Sequence, residues 1–483
     1  MDGPRNPSTI FFQYERIRRS IIASYWIVII LAIPLWWQTT SIERLSLPSS
    51  EVYAQAEAHR GFQLPVRIIL DSEFTKRDNS LALEVQTVLK DSSALDIRVS
   101  GSSGRSEGDS YLVLPSESQE IRVEGRELFF PLEKASASVL AKTLASFILP
   151  DKDHRVVQYS PRYRLSFSLL NEDSSGGQVV EAWDASNGIA RHIEPITSAL
   201  SVLHNFTIES QAQFYAPLAF EPLKLSEDEA YGLTPEQLTV FVNSAEWTLS
   251  SSSSNDPVLH FLLFVPSASR RPLKILNKEG KPTNSNSFLI PQWGGIVIAN
   301  LPESPSKIRL STDDLKSSFT TFSQQLLTLL GVPRLSSGAV RSRQQPTGWQ
   351  IDALLRYRAI ENVVRTSDTL RSTVSLVEQI PNMPVGEKVR NDVRDALKAL
   401  KSLSSSSNMT LTGILATSRD ALTLSQKAFF HPGMLALLYF PVEHKYAVYT
   451  PLFASAIIPL VVAAMREVVA WRKQRRGVQV PQG

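Results

Sequence analysis

Residues 446–465 read YAVYTPLFASAIIPLVVAAM, a run of 20 residues without a charged side chain. A helix of this length rises about 30 Å, the thickness of the hydrocarbon core of a bilayer. Arg466 follows directly, and four more basic residues lie between it and position 476. Because Lys and Arg stay on the cytoplasmic side, the run predicts a transmembrane helix followed by a cytosolic basic tail, residues 466–483. A buried helix of a soluble core is the alternative.

A second charge-free run lies near the N-terminus, where residues 21–37 read IIASYWIVIILAIPLWW. This length is at the short end of the range that spans a bilayer. Arg16, Arg18 and Arg19 precede the run, so the positive-inside rule places residues 1–20 in the cytosol. A cleaved signal peptide is the alternative, but the nearest small-x-small pattern, at 54–56, lies too far beyond the run. We therefore expect an uncleaved transmembrane helix.

Two crossings with both ends in the cytosol place the interval between the runs, most of the chain, on the lumenal side. The charges agree with this division. The two terminal segments hold nine of the 50 Lys and Arg residues but three of the 47 Asp and Glu residues. The basic character of the chain is therefore a membrane flank. No stretch interleaves basic and aromatic residues, so we expect a lipid bilayer and no nucleic acid as partners.

The lumenal interval lacks cysteine, as does the whole chain. This excludes disulfides, Cys–zinc sites and a cysteine nucleophile on this chain. Two acceptor sequons for N-glycosylation lie in the interval, at Asn205 and Asn408, and both are candidate glycosylation sites. A third Asn-x-Ser pattern, at Asn6, is excluded because proline follows the asparagine.

Periodicity divides the lumenal interval into three parts. Strand and helix patterns alternate in residues 38–150 and again in 151–346, which predicts two α/β subdomains. Within the second, a strand at 162–170 is followed by a predicted long helix over about 178–204. Residues 347–445 lack strand patterns and predict three amphipathic helices. The expected fold is an α/β lumenal domain, with mixed sheets, flanking helices and a helical C-terminal part, between two transmembrane helices.

The sequence offers little that is typical of catalysis. No two of the seven histidines have the spacing of a zinc-binding helix, and no G-x-S-x-G elbow occurs. His192 and Glu194 resemble the start of a deaminase motif, but its cysteine partners are absent. Asp313 and Asp314 precede a helical pattern, where acidic residues favour the helix dipole. We predict no catalytic residue, metal ligand or cofactor, although a Ser/His/Asp triad assembled from distant positions stays open.

Residues 288–300 read FLIPQWGGIVIAN, which predicts a strand, a turn at Gly294 and Gly295, and a second strand. We expect Trp293 to be buried there, with exposure for a partner as the alternative. This segment resembles the PIG-S family, the S subunit of the GPI transamidase. The sequences at both anchors are similar to the family too. They are PLWWQTT at 34–40, LSLP at 45–48 and AFFHPGMLALLYFPVEHKYAV at 428–448.

The resemblance implies a non-catalytic accessory subunit of an endoplasmic reticulum membrane complex. That complex attaches preassembled GPI anchors to the C-terminus of proproteins, and this subunit would scaffold it and position its lumenal catalytic subunit at the membrane. The implied partners are PIG-K, which carries the catalytic cysteine, PIG-T, PIG-U and a Gaa-type subunit. The family offers no catalytic residue for this subunit. An independent lumenal hydrolase and a glycolipid-binding module are the alternatives.

Overall fold

The chain divides into two compact units. Unit 1 comprises Met1–Arg60, Val363–Ser402 and Arg419–Gly483, and unit 2 comprises Gly61–Asn362 and Leu403–Ser418. The computed structural model describes residues 14–40, 43–58, 62–89, 95–101, 109–148, 156–175, 179–225, 230–243, 247, 249, 254–302, 307–335, 339–341, 346–380, 383–405, 409–434 and 442–475.

Unit 2 contains a six-stranded sheet and, in the same part of the chain, three helices. The strands are β1 (Leu64–Leu70), β2 (Leu95–Gly101), β3 (Tyr111–Ser116), β4 (Ile121–Glu124), β5 (Glu127–Pro131) and β16 (Ala339–Arg341), in the order β16-β4-β5-β3-β1-β2. All neighbours are parallel except the β4–β5 hairpin. The helices of this region are α3 (Ser72–Arg77), α4 (Leu81–Leu89) and α5 (Ala137–Ile148). Alternate residues of β1 are buried, since successive side chains of a strand point to opposite faces.

A five-stranded sheet forms the second half of unit 2. Its strands are β6 (Arg162–Asn171), β8 (Asn205–Gln213), β11 (Val258–Val265), β13 (Ser287–Ile290) and β14 (Gly294–Ile298), in the order β13-β14-β11-β6-β8. Only the β13–β14 pair is antiparallel. The sheet is covered on both faces. One face carries Phe167 and Phe261 into a core with Phe319 and Phe322, and the other carries Leu262 and Phe264 into a core with Phe241 and Trp247.

Shorter elements complete unit 2. The strands β7 (Val180–Trp183) and β15 (Ile308–Leu310) pair with each other, and β9 (Leu223–Lys224), β10 (Tyr231–Leu233) and β12 (Leu273–Ile275) form a three-stranded sheet. The helices are α6 (Ala185–His192), α7 (Glu194–Ala199), α8 (Pro235–Thr239) and α9 (Thr312–Leu329). The predicted α/β class with mixed sheets is therefore confirmed.

The long helix predicted over about 178–204 is wrong. Residues 180–183 form β7, and two short helices, α6 and α7, follow. Asp184 caps α6, because its side chain accepts a hydrogen bond from the N–H of Asn187. Pro195 lies in the first turn of α7, where its missing N–H is tolerated, so a new helix begins there. The strand conformation of β7 depends on β15, which lies far away in the sequence and left no local signal.

The turn predicted at Gly294 and Gly295 is also misplaced. It lies at residues 291–293, and the two glycines begin β14. Both lie close to other residues rather than in a turn, and Gly294 meets backbone whereas Gly295 meets the end of a side chain. A Cβ on Gly294 would lie 1.9 Å from the carbonyl oxygen of His260, and one on Gly295 would lie 2.1 Å from the side-chain oxygen of Gln325. Trp293, which was expected to be buried, is half-buried.

The three helices predicted after residue 347 are present. They are α10 (Gly348–Gln379), α11 (Glu387–Ser405) and α12 (Leu411–Phe429). The apolar positions that predicted α11 are all buried, as an amphipathic helix requires. These positions are Val389, Val393, Ala396, Leu397, Leu400 and Leu403.

Unit 1 also contains α1 (Glu15–Thr40), α2 (Ser49–Ala58) and a last helix, α13 (Val442–Arg475). Over the described residues, one span, Arg16–Leu35 within α1, is long and apolar enough to cross a membrane. The charge-free run 446–465 lies inside α13, which continues through Pro451 and Pro459. The second crossing stays a prediction.

Candidate functional site

The carboxyl ends of the parallel strands in the five-stranded sheet are the first place to look for a ligand site. In open parallel sheets, ligands bind where the strand order reverses. From β6 the chain passes to β8 on one side and then to β11 on the other, so the order reverses between β6 and β11. Asn171 and Val265 are the last residues of these strands.

The reversal point is filled by side chains of the protein itself. Glu172 is 3% exposed and accepts hydrogen bonds from the guanidinium of Arg270 and, at 2.8 Å, from the N–H of Ser267. The same guanidinium donates to Glu221 at 2.7 Å. The amide of Asn171 bonds both backbone groups of Val180, at 2.9 and 3.1 Å. These contacts satisfy the buried charge, and they close the crevice rather than leave it open for a ligand.

A cleft of about 570 Å³ lies beside this point, where β14 ends and α9 begins. Two of its polar side chains, Asn300 and Asp314, already bond the chain. Asn300 bonds both backbone groups of Leu273, at 2.8 and 2.9 Å, and Asp314 accepts from the N–H of Ser311 at 2.9 Å. The hydroxyl of Ser311 also holds the pKa of Asp314 below its ordinary value. The rest of the lining is mainly apolar, and includes Leu263, Ile298, Leu301, Pro302, Ile308, Leu310 and Leu315.

The contact of Asp314 with Ser311 also explains why an acidic pair lies near this helix start. Asp313 and Asp314 lie in the first turn of α9, and Ser311 and Asp314 form a reciprocal capping box. Their position supports the capping interpretation over an acid–base pair.

A second polar cluster joins β3 to α10 within unit 2. The hydroxyl of Tyr111 donates to Asp352 at 2.7 Å, and Arg356 donates to the Tyr111 oxygen at 2.6 Å. Arg126 holds the same carboxylate with two hydrogen bonds, at 2.7 and 3.0 Å. Burial raises the pKa of Tyr111, so the phenol stays protonated. The ring centroid of Trp349 lies 4.1 Å from that of Tyr111, and we interpret this packed cluster as a structural joint between β3 and α10.

His260 lies in β11, and the neighbouring strand β14 belongs to the segment 288–300 that resembles the PIG-S family. It is buried, and its ring stacks on Trp293 with 4.7 Å between centroids. Desolvation, with a smaller effect of the Arg164 charge, lowers the pKa of His260 to about 4. The imidazole is therefore neutral near pH 7. Sequence analysis missed this arrangement, since a single histidine in an apolar strand carries no signal of its neighbours.

The other residues that the sequence indicated do not form a common site among the described residues. Asn205 is exposed and begins β8, whereas Asn408 lies outside the described residues. His192 ends α6 and Glu194 begins α7. Within the described ranges, no group of three His, Asp or Glu side chains is arranged to hold a metal ion.

Comparison with known proteins identifies relatives of the whole chain. The family model for phosphatidylinositol-glycan biosynthesis class S protein matches residues 23–106 and 114–474. The chain is 29% identical to the GPI-anchor transamidase component PIGS of Bos taurus, over 95% of this chain and 96% of the relative. It is 31% identical to the GPI transamidase component PIG-S homolog of Schizosaccharomyces pombe, over 96% and 86%. The GPI transamidase component GPI17 of Saccharomyces cerevisiae is 24% identical, over 88% and 87%.

Proposed function

The chain belongs to the PIG-S family, and we propose that it is an accessory subunit of a GPI transamidase complex in the endoplasmic reticulum membrane. One observation carries this proposal: the family model matches the chain from within α1 to the end of α13, including the lumenal interval between them. Relatives named as components of that complex cover the same length. The complex would attach preassembled GPI anchors to the C-terminus of proproteins.

The proposed topology has two membrane-spanning helices, cytosolic termini and a large lumenal domain. The contacts between α1 and α13 support it. The guanidinium of Arg18 donates to Glu467 at 2.6 Å, and that of Arg19 donates to the second oxygen of Glu467 at 3.0 Å. The start of α1 therefore lies beside the C-terminal part of α13, an arrangement that would put both basic flanks on one side of a membrane, in agreement with the positive-inside rule.

The proposed role is to scaffold the complex and to position its catalytic subunit near substrates that are themselves membrane-bound. Anchoring both to one surface raises their effective concentration. The chain contains no cysteine, so a cysteine nucleophile has to be supplied by another subunit, expected to be PIG-K. PIG-T, PIG-U and a Gaa-type subunit complete the proposed set of partners.

Asn205 and Asn408 are proposed to carry N-linked glycans. The exposure of Asn205 at the first residue of β8 supports this for the first site, because the side chain is accessible to the transferase. Both sequons fall in the interval assigned to the lumen, where the transfer takes place.

The experiment that tests the proposed function is affinity isolation of the tagged full chain in mild detergent, with mass spectrometry of the recovered proteins. We expect stoichiometric recovery of a legumain-like cysteine protease together with multi-spanning membrane proteins. Recovery of the intact, glycosylated chain alone would contradict membership in a stable complex.

A second candidate function is glycolipid binding, favoured by the apolar lining of the 570 Å³ cleft. Titration of the full chain, free of other subunits, with a GPI precursor tests it. Saturable binding would support a recognition role for this chain, and its absence would leave the scaffold role alone.

A further inference from the structure

The outer strand of the five-stranded sheet, β8, has an unpaired side. In the described part of the chain its ladder runs only to β6. The N–H of Asn205 donates to Pro161 next to β6, and in a parallel ladder every second residue repeats this direction. The backbone groups of the intervening residues therefore point away from the sheet, and form no hydrogen bond within the described ranges. These residues are Phe206, Ile208, Ser210 and Ala212.

This edge carries one charged side chain, Glu209, and lacks the other devices that normally protect an unpaired strand. Proteins guard such edges with lysine, proline or a β-bulge, because a free row of N–H and C=O groups recruits another strand. The sequence of β8, NFTIESQAQ, contains neither lysine nor proline, and its register with β6 is continuous over nine residue pairs. An edge of this kind favours a lasting occupant over exposure to solvent.

Apolar surface continues along the same edge. Phe206 and Ile208 are half-buried and pack against the core on one face of the sheet. Directly after the strand, Phe214 and Tyr215 are 45% and 65% exposed. A strand added to β8 would cover Phe206 and Ile208 on the sheet face and would shield Phe214 and Tyr215 from water.

The charge at the centre of β8 selects among possible occupants. Glu209 is the middle residue of the strand and its only charged side chain. Antiparallel pairing with a second copy over the full strand would place two Glu209 side chains directly opposite each other, at a non-hydrogen-bonded pair with Cα atoms about 4.5 Å apart. Like charges at that distance destabilise the pairing. The Arg164 guanidinium lies 4.0 Å from one Glu209 oxygen, and the other oxygen has no hydrogen-bond partner among the described residues, so the carboxylate can still accept from a donor side chain of a different chain.

We infer that the free edge of β8 binds an extended strand of another subunit of the complex by β-strand addition. The inference rests on the proposed function. The partner strand has a basic or hydroxyl side chain opposite Glu209 and apolar side chains on the face of Phe206 and Ile208. A subunit fits better than a proprotein substrate, because a substrate would cover this unprotected edge only during turnover.

A single thiol tests the inference, since the chain has no cysteine of its own. Ser210→Cys places the thiol on the edge, and Ser138→Cys places a matched thiol on the exposed side of α5. Each full-length variant is isolated in its complex, and maleimide labelling rates are divided by those after denaturation. We expect the normalised rate at position 210 to be about tenfold lower than at 138, as for a site protected by strand pairing.

A photoactivatable amino acid incorporated at position 210 identifies the occupant, because no reagent then has to reach the covered edge. We expect the variant at position 210 to cross-link to one other subunit, and the same replacement of Ser138 to give no such product. Equal labelling at the two positions, in a complex that contains its other subunits, would overturn this inference alone. A cross-link only to a second copy, or only to proprotein, would also overturn it. Recovery of the chain without partners would overturn the proposed function as well.

Discussion

The hydroxyl of Tyr111 lies 2.7 Å from a carboxylate oxygen of Asp352, although 241 positions separate the two residues. Asp352 has a side chain only 4% exposed, and Arg126 binds it through both of its oxygens. The contact connects a strand of the six-stranded sheet to the first turns of α10. A buried carboxylate with three donors around it stabilises the fold only as long as the whole set is complete.

Asp352→Asn tests this joint. The amide keeps the shape but removes the negative charge from a cluster that holds the buried Arg356, and Arg126 is left with its contact to Asp109 at 3.1 Å. We expect a loss of about 3–5 kcal/mol, typical of a broken buried ion pair. Asp96→Asn, which removes an exposed pair with Arg98, should cost under about 1 kcal/mol. Denaturant unfolding of both variants in detergent measures the difference, and equal midpoints would refute the structural role of Asp352.

Gly294→Ala should destabilise the five-stranded sheet. The new Cβ would lie 1.9 Å from the carbonyl oxygen of His260, so the β11–β14 ladder would have to shift, at about 1–3 kcal/mol. Gly386→Ala is the control, because the nearest atom to its Cβ is 4.0 Å away, and it should cost under about 1 kcal/mol. The midpoint of thermal unfolding distinguishes the two. A wild-type midpoint for Gly294→Ala would show that the ladder tolerates a side chain there.

His260 should make stability depend on pH. Its pKa is lowered to about 4 in the folded chain, against about 6.5 unfolded, so the unfolded state binds more protons between these values. Stability is therefore full above about pH 6.5 and falls as the pH is lowered, by about 2 kcal/mol at pH 5. His260→Gln removes this contribution. Unfolding free energies of both proteins at pH 7 and 5 give the comparison, and identical pH slopes would contradict burial of a neutral imidazole.

Asn205 should carry a glycan if the interval between α1 and α13 is lumenal. We expect endoglycosidase treatment to increase the gel mobility of the full chain. Thr207→Ala should remove the part of this shift that depends on Asn205, whereas Thr207→Ser should keep it, since serine preserves the sequon. If endoglycosidase treatment left the mobility of both the wild-type chain and Thr207→Ser unchanged, the lumenal position of this interval would be contradicted.

The elements that the sequence predicted are those whose apolar residues recur locally. The spacing of Val389, Val393 and Leu397 predicted α11, and each of these side chains is buried. The strand β7 was missed because its partner β15 is remote: Val180 pairs with Ile308. A propensity that averages over neighbours favours helix there, and a distant hydrogen-bond ladder overrides it.

The candidate sites also divide into those that a local sequence pattern predicts and those that depend on tertiary structure. The sequon at Asn205 is a local pattern, and its sequence was enough to find it. The Glu172–Arg270 pair and the unpaired edge of β8 are not local patterns, since each depends on which strands are neighbours in the sheet. No pattern within NFTIESQAQ distinguishes an outer strand from an inner one.

By itself, the sequence determined the two charge-free runs with basic flanks, the absence of cysteine and the family, because these depend on composition and on order along the chain. Only the tertiary structure decided that Glu172 closes the reversal point of the sheet, that Gly294 is required by the backbone of β11 rather than by a turn, and that β8 is the outer strand of its sheet among the described residues. The physical reason is that hydrogen-bond partners and desolvation are set by residues brought together in space, and the chain separates those residues by tens to hundreds of positions.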